Sequence, residues 1–150
     1  MDRQFVTENA KSRERLRSLV DKISDEELMF PLNDKGWTVA AALGHIAFWD
    51  ERRLALVRKW KKEGVSPSPV DTDVFNDALL PFLSAIPPRK LAGMTLAMAE
   101  ALDRELEQAS PELVEAMVAI GDIHAVDRSI HRKMHLDEVE AVVKARRSPG

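Results

Sequence analysis

The chain has 150 residues, 45% of them hydrophobic and 31% charged, and its 22 basic and 25 acidic side chains give a formal net charge of −3. That length suits one domain with a real core, so a single domain over residues 1–150 is expected. The charge is too near neutral, and of the wrong sign, for a nucleic-acid binder. With no cysteine, there is no disulfide, no thiolate metal ligand and no thiol nucleophile.

The opening segment MDRQFVTENAKSRERLR lacks the apolar stretch of a signal peptide. The longest apolar run, VAAALGHIAFW, falls well short of the roughly 20 residues of a membrane span. A cytoplasmic protein without membrane or nucleic-acid partners is expected.

Strand signals are nearly absent and helical periodicity runs through the chain. A first helix is predicted from about Arg3 to Lys22, with Phe5, Leu16, Leu19, Val20 and Ile23 toward the core. Ser24 followed by Glu27 reads as a capping box for the short turn SDEELM, which Pro31 ends. Thr38 is the expected N-cap, and Gly64 the stop, of a second helix over about 39–62. The segment from Val65 to Pro87 is rich in proline and aspartate, with one helical turn expected around Asn76–Leu80. So long a connection is uncommon in a compact bundle. It is long enough to cross the bundle and let the helices on either side run parallel. It either contacts substrate beside the site, through Asp71, Asp73, Phe75 and Asn76, or merely spans the fold.

A third helix starts near Pro88 with apolar positions at Leu91, Met94, Met98, Ala101, Leu102 and Leu106. Ser110 caps a further start with Pro111 in the first turn. Gly121 bends or breaks the chain before a last helix from about Asp122 to Arg146, whose Lys144, Arg146 and Arg147 suit a helix C-terminus. Four main helices and one long crossover make an all-α four-helix bundle.

The last helix contains RSIHRKMHLDEVE, with His131 and His135 one turn apart. Residues four apart project from one face with Cβ atoms about 6 Å apart, so two imidazoles can converge on one ion at bonds of about 2.0–2.1 Å. Alone, such a pair is more often two surface histidines. On a helical wheel, however, both lie beside Met134, Val139 and Val142, on the apolar side. Uncompensated imidazoles facing a core cost several kcal/mol unless hydrogen-bonded or metal-bound. His45 sits in the middle of the apolar run of the second helix. A lone histidine there is more often a satisfied core residue. Beside a pair on a facing helix it completes three protein ligands, which leaves a position for water or substrate. His124 precedes His131 by two turns, about 10.5 Å of rise, and is read as a bystander. Asp127 and Glu138 are candidates for supporting the histidines or moving protons, although an ordinary solvated carboxylate is the commoner finding.

These segments resemble the DinB/YfiT-like family. GWTVAAALGHIAFWD is similar to its second-helix segment, IHRKMHLDEVEAV to its fourth-helix segment and VDTDVFNDALL to its crossover. The resemblance implies a four-helix bundle in up-down-down-up order, often dimeric. It also implies a divalent metal, nickel or zinc in many cases, on three histidines that fall here on His45, His131 and His135. The family is similar in fold to mycothiol-dependent maleylpyruvate isomerases and includes enzymes that transfer low-molecular-weight thiols. Fold alone assigns no substrate.

Three readings follow. The first is a metal-dependent hydrolase or thiol transferase acting on a small molecule, with an external thiol in the second case. The second is a metal or small-ligand binding protein without turnover. The third is a plain interaction bundle with core histidines. A homodimer is expected from the resemblance, with Trp60 and scattered leucines as the surface candidates. The basic stretches RKWKK at 58–62 and KARR at 144–147 sit at helix ends, where solvated cations are usual.

Overall fold

A computed structural model describes residues 2–147. It is all-helical, and the described residues contain no β-strand, only an isolated bridge between Pro31 and Thr38. In chain order the helices are α1 (Gln4–Lys22), α2 (Asp25–Leu28), α3 (Val39–Glu63), α4 (Thr72–Ala85), α5 (Pro88–Glu107), α6 (Pro111–Gly121) and α7 (Ser129–Arg147). A 3-10 turn over Ile123–Ala125 separates the last two. No described helix is long and apolar enough to cross a membrane.

Local chemistry sets most of the boundaries. The Ser24 hydroxyl accepts from the Glu27 amide at 3.0 Å, and the Glu27 carboxylate accepts from the Ser24 amide at 2.9 Å. The Thr38 hydroxyl caps α3 through the Ala41 amide at 3.1 Å, and Ser110 caps α6 through Leu113 at 3.1 Å. Gly64 closes α3 at φ 88°, a left-handed value that costs a glycine little, with its amide donating to Trp60.

Two expectations about boundaries are corrected. The crossover is not a single turn at 76–80 but the 14-residue helix α4, capped by Asp71 and carrying Pro81 inside it. Proline removes one amide and disfavours helix before it, which reads as a stop. This helix lies on the surface with only Leu83 buried, so water can satisfy the carbonyl freed by Pro81. The last helix begins at Ser129, not Asp122. Asp122 turns the chain at φ 52°, and the Asp127 carboxylate accepts from the Ser129 amide and hydroxyl to start α7.

The long helices pack as a ring, with α1 against α5 and α7, and α3 against α5 and α7. Two apolar clusters fill it. One gathers Leu16, Leu28, Leu43, Ile46, Leu91 and Leu136, and the other Phe5, Leu54, Val57, Trp60, Leu102 and Met117. Trp60, expected at the surface, is only 4% exposed because it packs in the second cluster with α6 residues. Met94 and Met134 fall on apolar stripes of the sequence, yet both are exposed. The buried stripe of α5 runs instead through Leu91, Thr95, Ala99, Leu102 and Leu106. That of α7 runs through Arg132, Leu136, Val139 and Val143.

Gly44 lets α4 and α5 close on α3 beside His45. A Cβ there would lie 2.7 Å from Leu83 Cδ2 and 2.8 Å from Leu91 Cδ2. Gly44→Ala is expected to destabilise by about 1–2 kcal/mol, because overpacking outweighs the roughly 1 kcal/mol gained in helix propensity. Urea denaturation measures it, and a stabilised variant would show that α4 shifts freely.

Candidate metal centre

Between the two apolar clusters lies a buried polar layer that fixes α7 on its neighbours. Arg132, fully buried, donates from Nε to Asp50 Oδ2 at 3.0 Å on α3. Its two terminal nitrogens donate to Asp103 on α5 at 2.9 and 2.8 Å. Arg128 donates to the other oxygen of Asp50 at 3.0 Å, and Arg13 of α1 donates to Asp103 at 2.7 Å. Asn9 of α1 accepts from the Arg128 and Ser129 amides at 2.7 and 3.1 Å, holding the start of α7. Every long helix therefore contributes to one network, and charged groups at full burial persist only when paired in this way.

With α7 held there, His131 and His135 lie beside its buried stripe and face His45 of α3. The ring centroids of His45 are 5.2 Å from His131 and 4.5 Å from His135, and the last two are 4.7 Å apart. The Nε2 atoms of His45 and His131 approach to 3.2 Å. Each ring offers one nitrogen such that all three lie within 4.8 Å of one another. Tetrahedral ligands with zinc–nitrogen bonds near 2.0–2.1 Å stand about 3.3 Å apart, so the closest pair already has that spacing.

The chemistry of the cluster also fits an ion. Five buried side-chain atoms lack a hydrogen-bond partner among the described residues, and three of them are His45 Nδ1, His131 Nδ1 and His135 Nε2. Orphans are rare in native structures, so three on neighbouring rings show polar atoms that the protein alone leaves unmet. On His45 and His131, however, it is the Nε2 atoms that face each other and the Nδ1 atoms that lack partners. Burial pushes the His45 imidazole down to about 4, with the neighbouring His135 adding to the effect. Burial, followed by the Arg128 cation, pushes His131 down to about 2. Burial also lowers His135, against the opposing pull of Glu138. All three are therefore neutral near pH 7, with ring lone pairs free to coordinate.

Neutral buried histidines make stability depend on pH in a defined direction. Their folded values lie below the ordinary 6.5, so the unfolded chain binds more protons between those limits. The stability they allow is complete above pH 6.5 and is lost as pH falls toward 4. Each histidine contributes up to about 1.4 kcal/mol per pH unit in that window. Denaturant titrations of metal-free protein from pH 4 to 7 are expected to show this slope. His131→Phe should be shallower by about one proton, and an unchanged slope would place that ring in water.

Residues 8–138 match the family model of the DinB superfamily. The chain belongs to the DinB superfamily. That span contains all three histidines and the whole polar layer. No curated protein and no solved structure matches the chain.

Around the DinB-superfamily cluster, the other expected residues separate. Glu138 lines a cavity of about 200 Å³ with His45, His135 and Trp37, and its carboxylate is 3.8 Å from His135 Nδ1. Asp127 is a helix cap. His124 stands outside the cluster, hydrogen-bonded to Asp122 at 2.6 Å, although it reaches the rim of a second cavity. Asn76 of α4 lines both cavities and accepts from Trp49 Nε1 at 3.0 Å, so the crossover borders the cluster. Asp71, Asp73 and Phe75 are exposed, with Asp71 occupied as a cap and the Phe75 ring 6.1 Å from that of Trp49. Asn9, Arg13, Asp50, Asp103, Arg128 and Arg132 carry almost no signal in the sequence. Their one signal is that Arg132 occupies the same helical stripe as Leu136, Val139 and Val143.

Proposed function

We propose that this DinB-superfamily chain is a divalent-metal-dependent enzyme acting on a small molecule, either a hydrolase or a transferase of a low-molecular-weight thiol. The observation that carries the reading is the meeting of His45, His131 and His135, with nitrogens within 4.8 Å, at the edge of two cavities. His45, His131 and His135 would hold the ion, and nickel or zinc suits neutral imidazole donors. Such an ion supplies a lowered pKa to bound water or thiol and polarises an electrophile.

The protein's own residues have narrower tasks. The Arg132 network orients the two α7 histidines, Trp37 and Asn76 border the ring of His45, and Glu138 stands where it can take a proton at the cavity wall. Cysteine is absent, so a transferred thiol comes from outside the chain. The finer fold and assembly proposals are an up-down-down-up order of α1, α3, α5 and α7, and a cytoplasmic homodimer. Residue pairings support the first. Arg13 meets Asp103 and Arg17 meets Glu100, so α1 and α5 run antiparallel. Gly44 lies by Leu91 and Lys61 by Glu105, so α3 and α5 run parallel. Asn9 meets Arg128 and Arg15 meets Glu140, so α1 and α7 run parallel. A concentration-independent monomer in sedimentation would reject the dimer.

The test is turnover. Protein purified without a histidine tag and loaded with nickel or zinc is assayed on ester, amide and epoxide panels, with and without low-molecular-weight thiols. Metal-dependent turnover that His45→Ala abolishes is the expected result. Stoichiometric metal with no turnover on any panel would favour a metal-binding protein without catalysis, and failure to load any metal would reject both.

A further inference from the structure

We propose that Arg128 is an anion subsite beside the three histidines, so that the small molecule accepted there carries a carboxylate or phosphate. The inference deepens the metal-centre reading and rests on it for where reaction would occur, but the anion contact itself needs only this chain's residues.

The first observation is geometric. Arg128 has only 8% of its surface exposed, yet it lines the cavity of about 380 Å³ that His131 and His135 also line. Its Nε is used by Asp50 at 3.0 Å, and its Nη1 reaches the His124 carbonyl only at 3.5 Å. Nη2 makes no hydrogen bond among the described residues and is not among the sealed orphans. A guanidinium held along one edge by a buried carboxylate presents its remaining N–H groups in a fixed fork, the geometry that matches an oxyanion.

The second observation is the charge balance. The chain Arg128–Asp50–Arg132–Asp103–Arg13 sets three guanidinium groups, two buried and the third, Arg13, partly exposed, against two buried carboxylates, one positive charge in excess. Arg53 adds to the excess with a buried Nε that has no hydrogen-bond partner among the described residues. Burial, then the nearby Arg128 and Arg52 cations, push Arg53 down to about 10. Buried charge is costly without a counter-charge, and the cavity is where one can enter. Trp49 and Met134 give the same cavity an apolar wall, so an anion with a planar apolar body fits it better than a bare ion.

Benzoate and benzamide have nearly the same shape and differ in charge. The experiment titrates each into chelator-treated, 15N-labelled protein and follows the three tryptophan indole N–H signals. Benzoate is expected to shift the Trp49 signal, leave Trp60 unmoved and bind at least tenfold more tightly than benzamide. Arg128→Gln keeps an amide donor toward Asp50 and removes the charge, and it is expected to bring the two ligands within about twofold. Equal binding of benzoate and benzamide to the wild type would overturn the subsite, even if the variant failed to fold. So would a folded Arg128→Gln protein that kept the tenfold preference. The thermal shift of the same wild-type protein with nickel or zinc is recorded alongside. Its loss with anion preference intact rejects the metal reading alone, and the reverse pattern rejects the anion subsite alone.

Discussion

Nickel or zinc at a thousandfold excess over its Kd is expected to stabilise the wild-type protein by about 4 kcal/mol, provided that the ion binds only the folded chain. For a chain of this size that is a rise in Tm of roughly 8–16 °C. His45→Ala, His131→Ala and His135→Ala should each lose most of the shift, because the ion needs donors from both α3 and α7 and a two-histidine remnant binds far more weakly. His124→Ala should keep it, since that side chain is outside the cluster and engaged with Asp122. The structure moves one part of the expectation. Unperturbed imidazoles would lose metal to protons below about pH 6. Burial lowers His45 to about 4 and His131 further, so proton competition in the folded state starts later, and the shift should persist through pH 5.5. A full metal shift in His45→Ala would reduce the centre to a surface chelate on α7.

What the sequence disclosed depended on the range of the interaction. Ser24, Thr38 and Ser110 announce their helices because a cap bonds an amide three residues away, and each bond is present. His45 was legible because a polar ring in a run of alanine, leucine and isoleucine demands a partner. The pair on α7 was legible from its four-residue spacing. Its face is less legible, since Met134 is exposed and the buried stripe begins with Arg132. An arginine between two histidines looks solvated until Asp50 and Asp103 are brought to it from 82 and 29 residues away, and no local pattern records that. Met94 and Trp60 turn on the same kind of distant information: α6 residues from elsewhere in the chain bury Trp60, while Met94 stays exposed. Helix α4 was hidden by Pro81, a local signal that is overridden where the freed carbonyl meets water.

Arg132→Met should therefore be the most damaging single substitution remote from the cavities, costing about 3–5 kcal/mol in metal-free protein. The wild-type side chain satisfies Asp50 and Asp103 together and also reaches Ser12 at 3.2 Å. Methionine fills similar space but leaves two buried carboxylates with one guanidinium each, Arg128 on Asp50 and Arg13 on Asp103. Against a total stability of roughly 5–15 kcal/mol, that loss is a large fraction. Arg132→Lys should recover little, because an ammonium is a point charge and cannot bridge two carboxylates with a planar fork. Arg15→Ala is the matched surface control: Arg15 also bridges two carboxylates, Asp137 and Glu140, but all three are solvent-accessible, so its loss should cost no more than about 1 kcal/mol. Urea denaturation in chelator reads all three variants. Where Arg132→Met still folds, the metal-induced shift should also shrink, because α7 has lost the contacts that aim His131 and His135 at His45. A loss below about 1 kcal/mol, equal to the Arg15 control, would mean that apolar packing alone sets the register of α7, and the polar layer would then have no part in building the site.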